Sequence, residues 1–153
     1  MLRIPSQLQH SFGRVEQLDQ AGPVGGQPVM DRLGLSYDVL RDINPRLVYC
    51  SISGYGQDGP FRDVPGHDLN YQAMAGMLEG FLDKDGEHIV PRITVGDLSS
   101  GMFAAIGIMG GLMSREKSGK GVYVDVSMFD GLLSWMSASV GMTYAAGMFD
   151  FGQ

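Results

Sequence analysis

Hydrophobic and polar positions fall into two regimes along this chain. Through residues 1–28, Gln7, Gln9, Gln17, Gln20 and Gln27 mix with glycine and proline without any period. An irregular leader over 1–28 is the expectation. From Met30 onward the pattern is regular. Ser36 to Ile43 predicts a short helix with Ser36 as its N-cap, stopped at Asn44-Pro45 because the residue before proline disfavours helical backbone. Leu47 to Ser53 is rich in β-formers and reads as a strand, followed by a glycine-rich loop from Gly54 to Pro60. Asp68 to Leu78 predicts a helix with Asp68 as N-cap and Leu69, Ala73, Met77 and Met74 on its apolar side.

Phe81 to Pro91 carries Asp83-Lys84-Asp85-Gly86-Glu87, which reads as a solvated turn. A short apolar run, Ile93-Thr94-Val95, then leads to a long helical pattern from Leu98 to Met113. That pattern is apolar nearly all round, so burial is expected. Its glycines, Gly101, Gly107, Gly110 and Gly111, predict close approach of another backbone. Arg115, Lys117 and Lys120 suit the negative end of that helix. After the turn Ser118-Gly119-Lys120-Gly121, Val122, Val124, Val126 and Met128 alternate with Tyr123, Asp125 and Ser127, the period of a strand with one apolar face. A last helix is expected from about Phe129. Strands alternating with helices define an α/β fold with a parallel sheet.

Two side chains stand out against this frame. Asp97, in Val95-Gly96-Asp97-Leu98-Ser99-Ser100-Gly101, falls at the mouth of the long helix. Unpaired backbone N–H groups and the positive dipole end favour an anion there. An ordinary N-cap aspartate satisfies the same pattern. Two features favour a functional role. In parallel sheets, ligands gather where strands give way to helices, and Gly96, Ser99, Ser100 and Gly101 are small enough to leave room beside the carboxylate. His67, in Pro65-Gly66-His67-Asp68-Leu69-Asn70-Tyr71, lies at a second turn opening onto a helix. It fits a loop-packing role as well as a proton-handling one. No histidine pair has metal-ligand spacing, so no metal site is expected. Gly54-Tyr55-Gly56-Gln57-Asp58-Gly59 lacks the lysine and hydroxyl residue of a phosphate loop.

Composition narrows the function classes. The 153 residues are 44% hydrophobic and 18% charged, a globular balance. Glycine, at 23 residues, is about twice its usual share of roughly 7%. The net charge of −6 argues against nucleic acid or a basic membrane-surface role, while leaving room for an anionic ligand at a helix N-terminus. The single cysteine, Cys50, permits no internal disulfide, which favours a reducing, cytoplasmic setting. Met1 to Pro28 lacks the apolar central run of a secretory signal. Gly131 to Phe149 is uncharged and long enough to span a bilayer. Its serines and Thr143 point instead to a buried or interfacial helix, and no membrane association is expected.

Taken in order, several segments closely resemble the family III CoA-transferases, the CaiB/BaiF group that includes the alpha-methylacyl-CoA racemases. They are Met30-Asp31-Arg32-Leu33-Gly34-Leu35, Ile43 to Gly56, Gly66-His67-Asp68-Leu69-Asn70-Tyr71, Val95-Gly96-Asp97, Arg115 to Gly121, and Val124 to Met128 with Asp130-Gly131. The resemblance runs from Val29 to about Trp135. It implies that residues 29–153 form a partial Rossmann-like parallel sheet with flanking helices, part of the family's large domain. It also implies that Asp97 is the catalytic residue, attacking an acyl-CoA thioester in the transferases and working as an acid/base opposite His67 in the racemases. Arg32 and Gly96 are then expected to contact CoA. CoA and acyl-CoA enter as substrates with carboxylic acids, and no permanently bound cofactor is expected.

The resemblance also sorts the branches. The histidine at 67 favours the racemases, because many transferases carry another residue there. Leu98-Ser99-Ser100-Gly101-Met102 looks more like a transferase, and the larger transferase group is the preferred assignment. The family's Asn-Phe-Arg-Pro-Gly segment is replaced by Val24-Gly25-Gly26-Gln27-Pro28. The family's first half-domain, its second domain and its returning C-terminal segment have no counterpart. Full-length relatives form interlaced homodimers. An internal fragment, inactive alone, is therefore expected, with a non-catalytic remnant as the further alternative.

Overall fold

The computed structural model describes residues 27–147. The elements are α1 (Gln27–Leu33), α2 (Tyr37–Ile43), β1 (Val48–Ser53), α3 (Asp68–Met74), a 3-10 turn (Met77–Gly80), α4 (Val95–Ser118), β2 (Val122–Ser127), α5 (Met128–Trp135) and α6 (Ser137–Ala145). Most of the leader assigned to 1–28 lies outside the described residues. Its last two, Gln27 and Pro28, open α1.

β1 and β2 pair in parallel, with Val48 opposite Val122 and Ser53 opposite Ser127. The parallel sheet with flanking helices is thus present as a two-stranded unit, joined by a crossover that contains α4. Strand alternation sends Val48, Cys50, Ile52, Val122, Val124 and Val126 to one face, and Tyr49, Ser51, Tyr123 and Asp125 to the other. α4 covers the valine face. A Cβ on Gly111 would lie 2.8 Å from a Val122 methyl and 2.9 Å from a Val48 methyl, and one on Gly107 would lie 2.6 Å from a Val124 methyl. These two glycines accept side chains of the sheet. Gly101 and Gly110 face open space.

This packing fixes direction. Gly111 meets the beginnings of the strands and Gly107 their middle, so α4 runs against them. Asp97, ten residues before Gly107, lies about 15 Å further along the helix, past the strand C-termini. The opposite face carries a tyrosine cluster. Tyr49 and Tyr123 stack at 5.6 Å, and Tyr37 of α2 lies 5.4 Å from Tyr123. The Tyr49 hydroxyl donates to Leu35 O at 3.2 Å, tying to that face the cluster that Leu35 forms with Val29 and Leu33 of α1. A second core, built from Tyr71, Ala75 and the fully buried Leu132, sits where α3, α4 and α5 meet.

Several elements differ from their expected bounds, each for a local reason. The helix expected over Asp68–Leu78 ends at Met74, because Gly76 takes φ +76° and the chain turns into the 3-10 segment. Its buried side is Tyr71, Gln72 and Ala75, while Leu69, Ala73 and Met74 are exposed. His67, not Asp68, occupies the N-cap position, and Asn70 Oδ1 accepts the His67 N–H at 2.9 Å. Ser36 does stand at the N-cap of α2, but its side chain makes no capping bond.

The long helix begins at Val95, with Thr94 as N-cap, so Ile93-Thr94-Val95 is not a strand. The helix is also far less buried than its composition implied. Leu98, Met102, Ile106, Met109 and Met113 form an exposed stripe, Met113 being 70% exposed. The expected single last helix breaks at Met136 into α5 and α6, so the uncharged stretch after Gly131 is not one continuous rod. Among the described residues, α4 is the one helix long and apolar enough to cross a membrane. Its glycine face is occupied by the sheet. The solvated turn is a tight hairpin. Leu82 bridges His88, Gly86 takes φ +85°, and Asp83 Oδ1 accepts the N–H groups of Asp85 and Glu87 at 2.8 and 2.9 Å.

Candidate active site

Three chain turns converge beyond the C-terminal ends of the strands. The first follows β1. Gly54 O accepts the Phe129 N–H at 3.0 Å and the Ser127 hydroxyl at 3.4 Å, which closes β1 onto the start of α5. Ser127 in turn accepts the Asp130 N–H at 3.1 Å as N-cap of α5. The second turn is Gly66-His67-Asp68, and the third is the first turn of α4.

Tyr71 joins the first two. Its ring is buried between their glycines. A Cβ on Gly54 would lie 2.4 Å from the phenol oxygen, and one on Gly66 would lie 2.8 Å from the ring. Only glycine at both positions lets the ring sit there. Burial pushes the Tyr71 hydroxyl above the ordinary tyrosine range, and the charges of Tyr55 and Asp97 add to that rise. The phenol therefore stays neutral, and Asp97 is close enough for its charge to be felt there.

Asp68 joins the second turn to the third. Its Oδ1 accepts the Asp97 N–H at 2.9 Å, and its Oδ2 accepts the Gln72 side-chain amide. Gln72, 1% exposed, also donates to Ile93 O at 3.2 Å. Gly96 makes this reach possible, since a Cβ there would lie 2.7 Å from Asp68 Oδ1 and 3.3 Å from Leu132. Ser99 and Ser100, expected to leave room for a ligand, are instead buried. Their hydroxyls donate back to Gly96 O at 3.0 Å and Asp97 O at 2.8 Å. Their smallness serves packing, with Ser99 lying against Gly131 of α5.

Asp97 is therefore the third residue of α4, held at its N–H by Asp68 and at its carbonyl by Ser100. The residue is exposed, and among the described residues its carboxylate accepts no hydrogen bond and forms no ion pair. A carboxylate in the first turn of a helix is stabilised as an anion by the dipole. Without a partner to release, it is free to attack an electrophile. His67 is exposed and adjoins Asp68, so its turn and that of Asp97 meet through the Asp68 carboxylate. Gly96 is buried beneath that carboxylate. Arg32 is exposed in the last turn of α1, an element attached to the tyrosine face of the sheet. The structure thus gathers Asp97, Gly96 and the His67 turn, and places Arg32 on a different face.

Tyr71, Gln72 and the Asp68 bridge went unread in the sequence. Their signal is the spacing of Asp68 and Gln72, four apart and on one side of α3. Reading Leu69 and Ala73 as the buried side hid it.

An exposed carboxylate at the strand ends of a parallel α/β unit is the arrangement to set beside known proteins. The sequence pattern of CoA-transferase family III matches residues 26–151, and the chain belongs to that family. An acetyl-CoA:oxalate CoA-transferase of Acetobacter aceti is 47% identical over 71% of this chain and 28% of its own length. The human alpha-methylacyl-CoA racemase is 38% identical over 67% of this chain and 27% of its own. A solved CAIB/BAIF family protein from Brucella suis superposes with a TM-score of 0.74 at 32% identity, covering 78% of this chain and 32% of that one. The chain thus spans about a third or less of the length of these relatives. The family resemblance read in the sequence holds, as does its assignment to part of the family III α/β fold.

Proposed function

We propose that this chain carries the nucleophile-bearing part of an acyl-CoA enzyme that moves CoA between carboxylic acids, with Asp97 as the nucleophile. The observation that carries the proposal is the exposed Asp97 carboxylate, without a hydrogen-bond or ion-pair partner among the described residues and fixed by its backbone at the mouth of α4. The reaction runs in balanced steps. An Asp97 oxygen attacks the thioester carbonyl of the donor, the C–S bond breaks, and CoA thiolate leaves behind a mixed anhydride. The thiolate attacks the Asp97 carbonyl of that anhydride, releasing the donor acid as its carboxylate and forming an aspartyl-CoA thioester. The acceptor carboxylate attacks this thioester, expelling the thiolate again. The thiolate then takes the acceptor acyl group and frees Asp97. No net proton is transferred, so no general base is required on the main path.

The dipole of α4 favours the aspartate anion that begins and ends the cycle. Asp68 already takes the Asp97 N–H, and Leu98 N–H bonds Thr94 O at 3.1 Å. Neither group is then a donor for the tetrahedral oxyanions. The exposed position of His67 beside Asp68, together with the 38% identity to a racemase, supports a second reading. There His67 and Asp97 exchange the α-proton of a 2-methylacyl-CoA from opposite faces.

The assay uses a chimera in which the matched stretch of the Acetobacter aceti relative is replaced by the corresponding residues of this chain. Exchange of label between acetyl-CoA and oxalate is expected. Asp97→Asn should abolish it, and His67→Ala should leave most of it. Retention of exchange in the Asp97→Asn chimera contradicts the assignment of the nucleophile.

A further inference from the structure

We infer that Asp68, backed by Gln72, is a positioning residue that sets where the Asp97 carboxylate points, an inference that rests on the reading of Asp97 as nucleophile. The bridge is built from groups with little freedom. Asp68 Oδ1 holds the Asp97 N–H at 2.9 Å. Its other oxygen is held by Gln72, whose amide nitrogen also holds Ile93 O at 3.2 Å. Gln72 is almost wholly buried, and its own oxygen has no hydrogen-bond partner among the described residues.

The two acceptors facing the amide nitrogen, Asp68 Oδ2 and Ile93 O, fix the amide orientation. Turned the other way, Gln72 would present its oxygen to the Asp68 carboxylate and to Ile93 O, acceptor against acceptor. Leaving one buried acceptor unmatched costs free energy, and here the cost accompanies an oriented donor behind a charged carboxylate. Gly96 is the space that lets the carboxylate lie against α4. The loop before α4, the first turn of α4 and α3 are therefore locked at one point, two covalent bonds from the Asp97 Cα. A displacement of about 1 Å in a reacting group is enough to cost on the order of a hundredfold in rate.

A charged acceptor on the Asp97 N–H also explains why α4 begins as it does. Thr94 makes no side-chain capping bond, so a residue distant in sequence takes over the capping role. Asp68 thereby couples the geometry of the His67 turn to that of Asp97.

The test has two parts. In this chain, hydrogen exchange at the Asp97 amide should speed up about tenfold or more in Asp68→Ala, as expected for loss of a charge-assisted bond. Amides of Val124 and Val126 should keep their rates, and Asp68→Asn, which retains one acceptor, should restore part of the protection. In the chimera, Asp68→Ala should lower kcat about tenfold or more with KM for acyl-CoA within about twofold, and Asp68→Asn should recover part of kcat. An unchanged Asp97 amide, or a kcat within twofold of the unsubstituted chimera while Asp97→Asn is inactive, overturns the inference. Survival of activity in Asp97→Asn would instead remove the nucleophile reading itself, so the two failures are told apart.

Discussion

At the residue scale, the site is defined by what each small residue allows. Gly54 and Gly66 admit the Tyr71 ring, and Gly96 admits the Asp68 carboxylate. Burial of Tyr71 has a consequence for pH. Its folded-state value is raised, so the folded state favours the neutral phenol. Such a group contributes stability that is fully present below the unfolded value of about 10 and is lost as pH rises through the folded value. Tyr49 and Tyr123 are raised in the same sense, and burial, with a smaller push from Asp125, raises Cys50 too, so its contribution starts to fall first, from about pH 9. Thermal melts should therefore show falling Tm as pH rises from 8 to 10.5. Tyr71→Phe should flatten that slope without removing it. A slope unaltered by the substitution would mean that Tyr71 titrates alike in both states. At this scale the placement of Asp97 and His67 was legible in the sequence, because each is a polar side chain at a turn entering a helix. Of the Asp68 bridge only the Asp68–Gln72 half leaves a local pattern; its contact with Asp97, across 29 residues, leaves none.

At the element scale, α4 separates composition from burial. Its pattern is apolar on nearly every side, yet the side against the sheet is the glycine side. Close approach of Val48, Val122 and Val124 needs absent side chains, so the residues that read as weakest for a helix carry the packing. Gly111→Ala should destabilise the chain by about 1–3 kcal/mol, the usual cost of overpacking. Met113→Lys, on the exposed stripe, should change stability by no more than about 0.5 kcal/mol. Denaturant midpoints measured side by side decide the matter, and equal effects would show that the packing face has been misassigned. The strands were readable because period-two alternation is local, as in Val122 to Ser127. The end of α3 was harder. Met77 continued the apolar pattern past Gly76, and the left-handed turn at Gly76 outweighed it.

At the scale of the whole molecule, the chain is an α/β unit of CoA-transferase family III. Its strand order and register follow from the crossover through α4. Its second core lies beside the Asp97 end, where Leu132, Tyr71 and Ala75 meet. The fold class was legible from the alternation of strands and helices. How α1 attaches to the tyrosine face was not, since contacts such as the hydrogen bond from Tyr49 to Leu35 O and the packing of Leu40 on the Val29, Leu33 and Leu35 cluster leave no local pattern. The relatives include both transferases and racemases, and the two readings proposed above place different demands on Asp97. Transfer makes Asp97 an acyl carrier, whereas racemisation leaves it unacylated and moves the α-proton of the substrate. The most direct measurement incubates the chimera with a 2-methylacyl-CoA in heavy water, without an acceptor acid and with hydroxylamine present. Mass spectrometry then reads the Asp97 peptide and the α-carbon. The predicted result is a hydroxamate at Asp97 with no deuterium at the α-carbon, and deuterium uptake with Asp97 unmodified would contradict it.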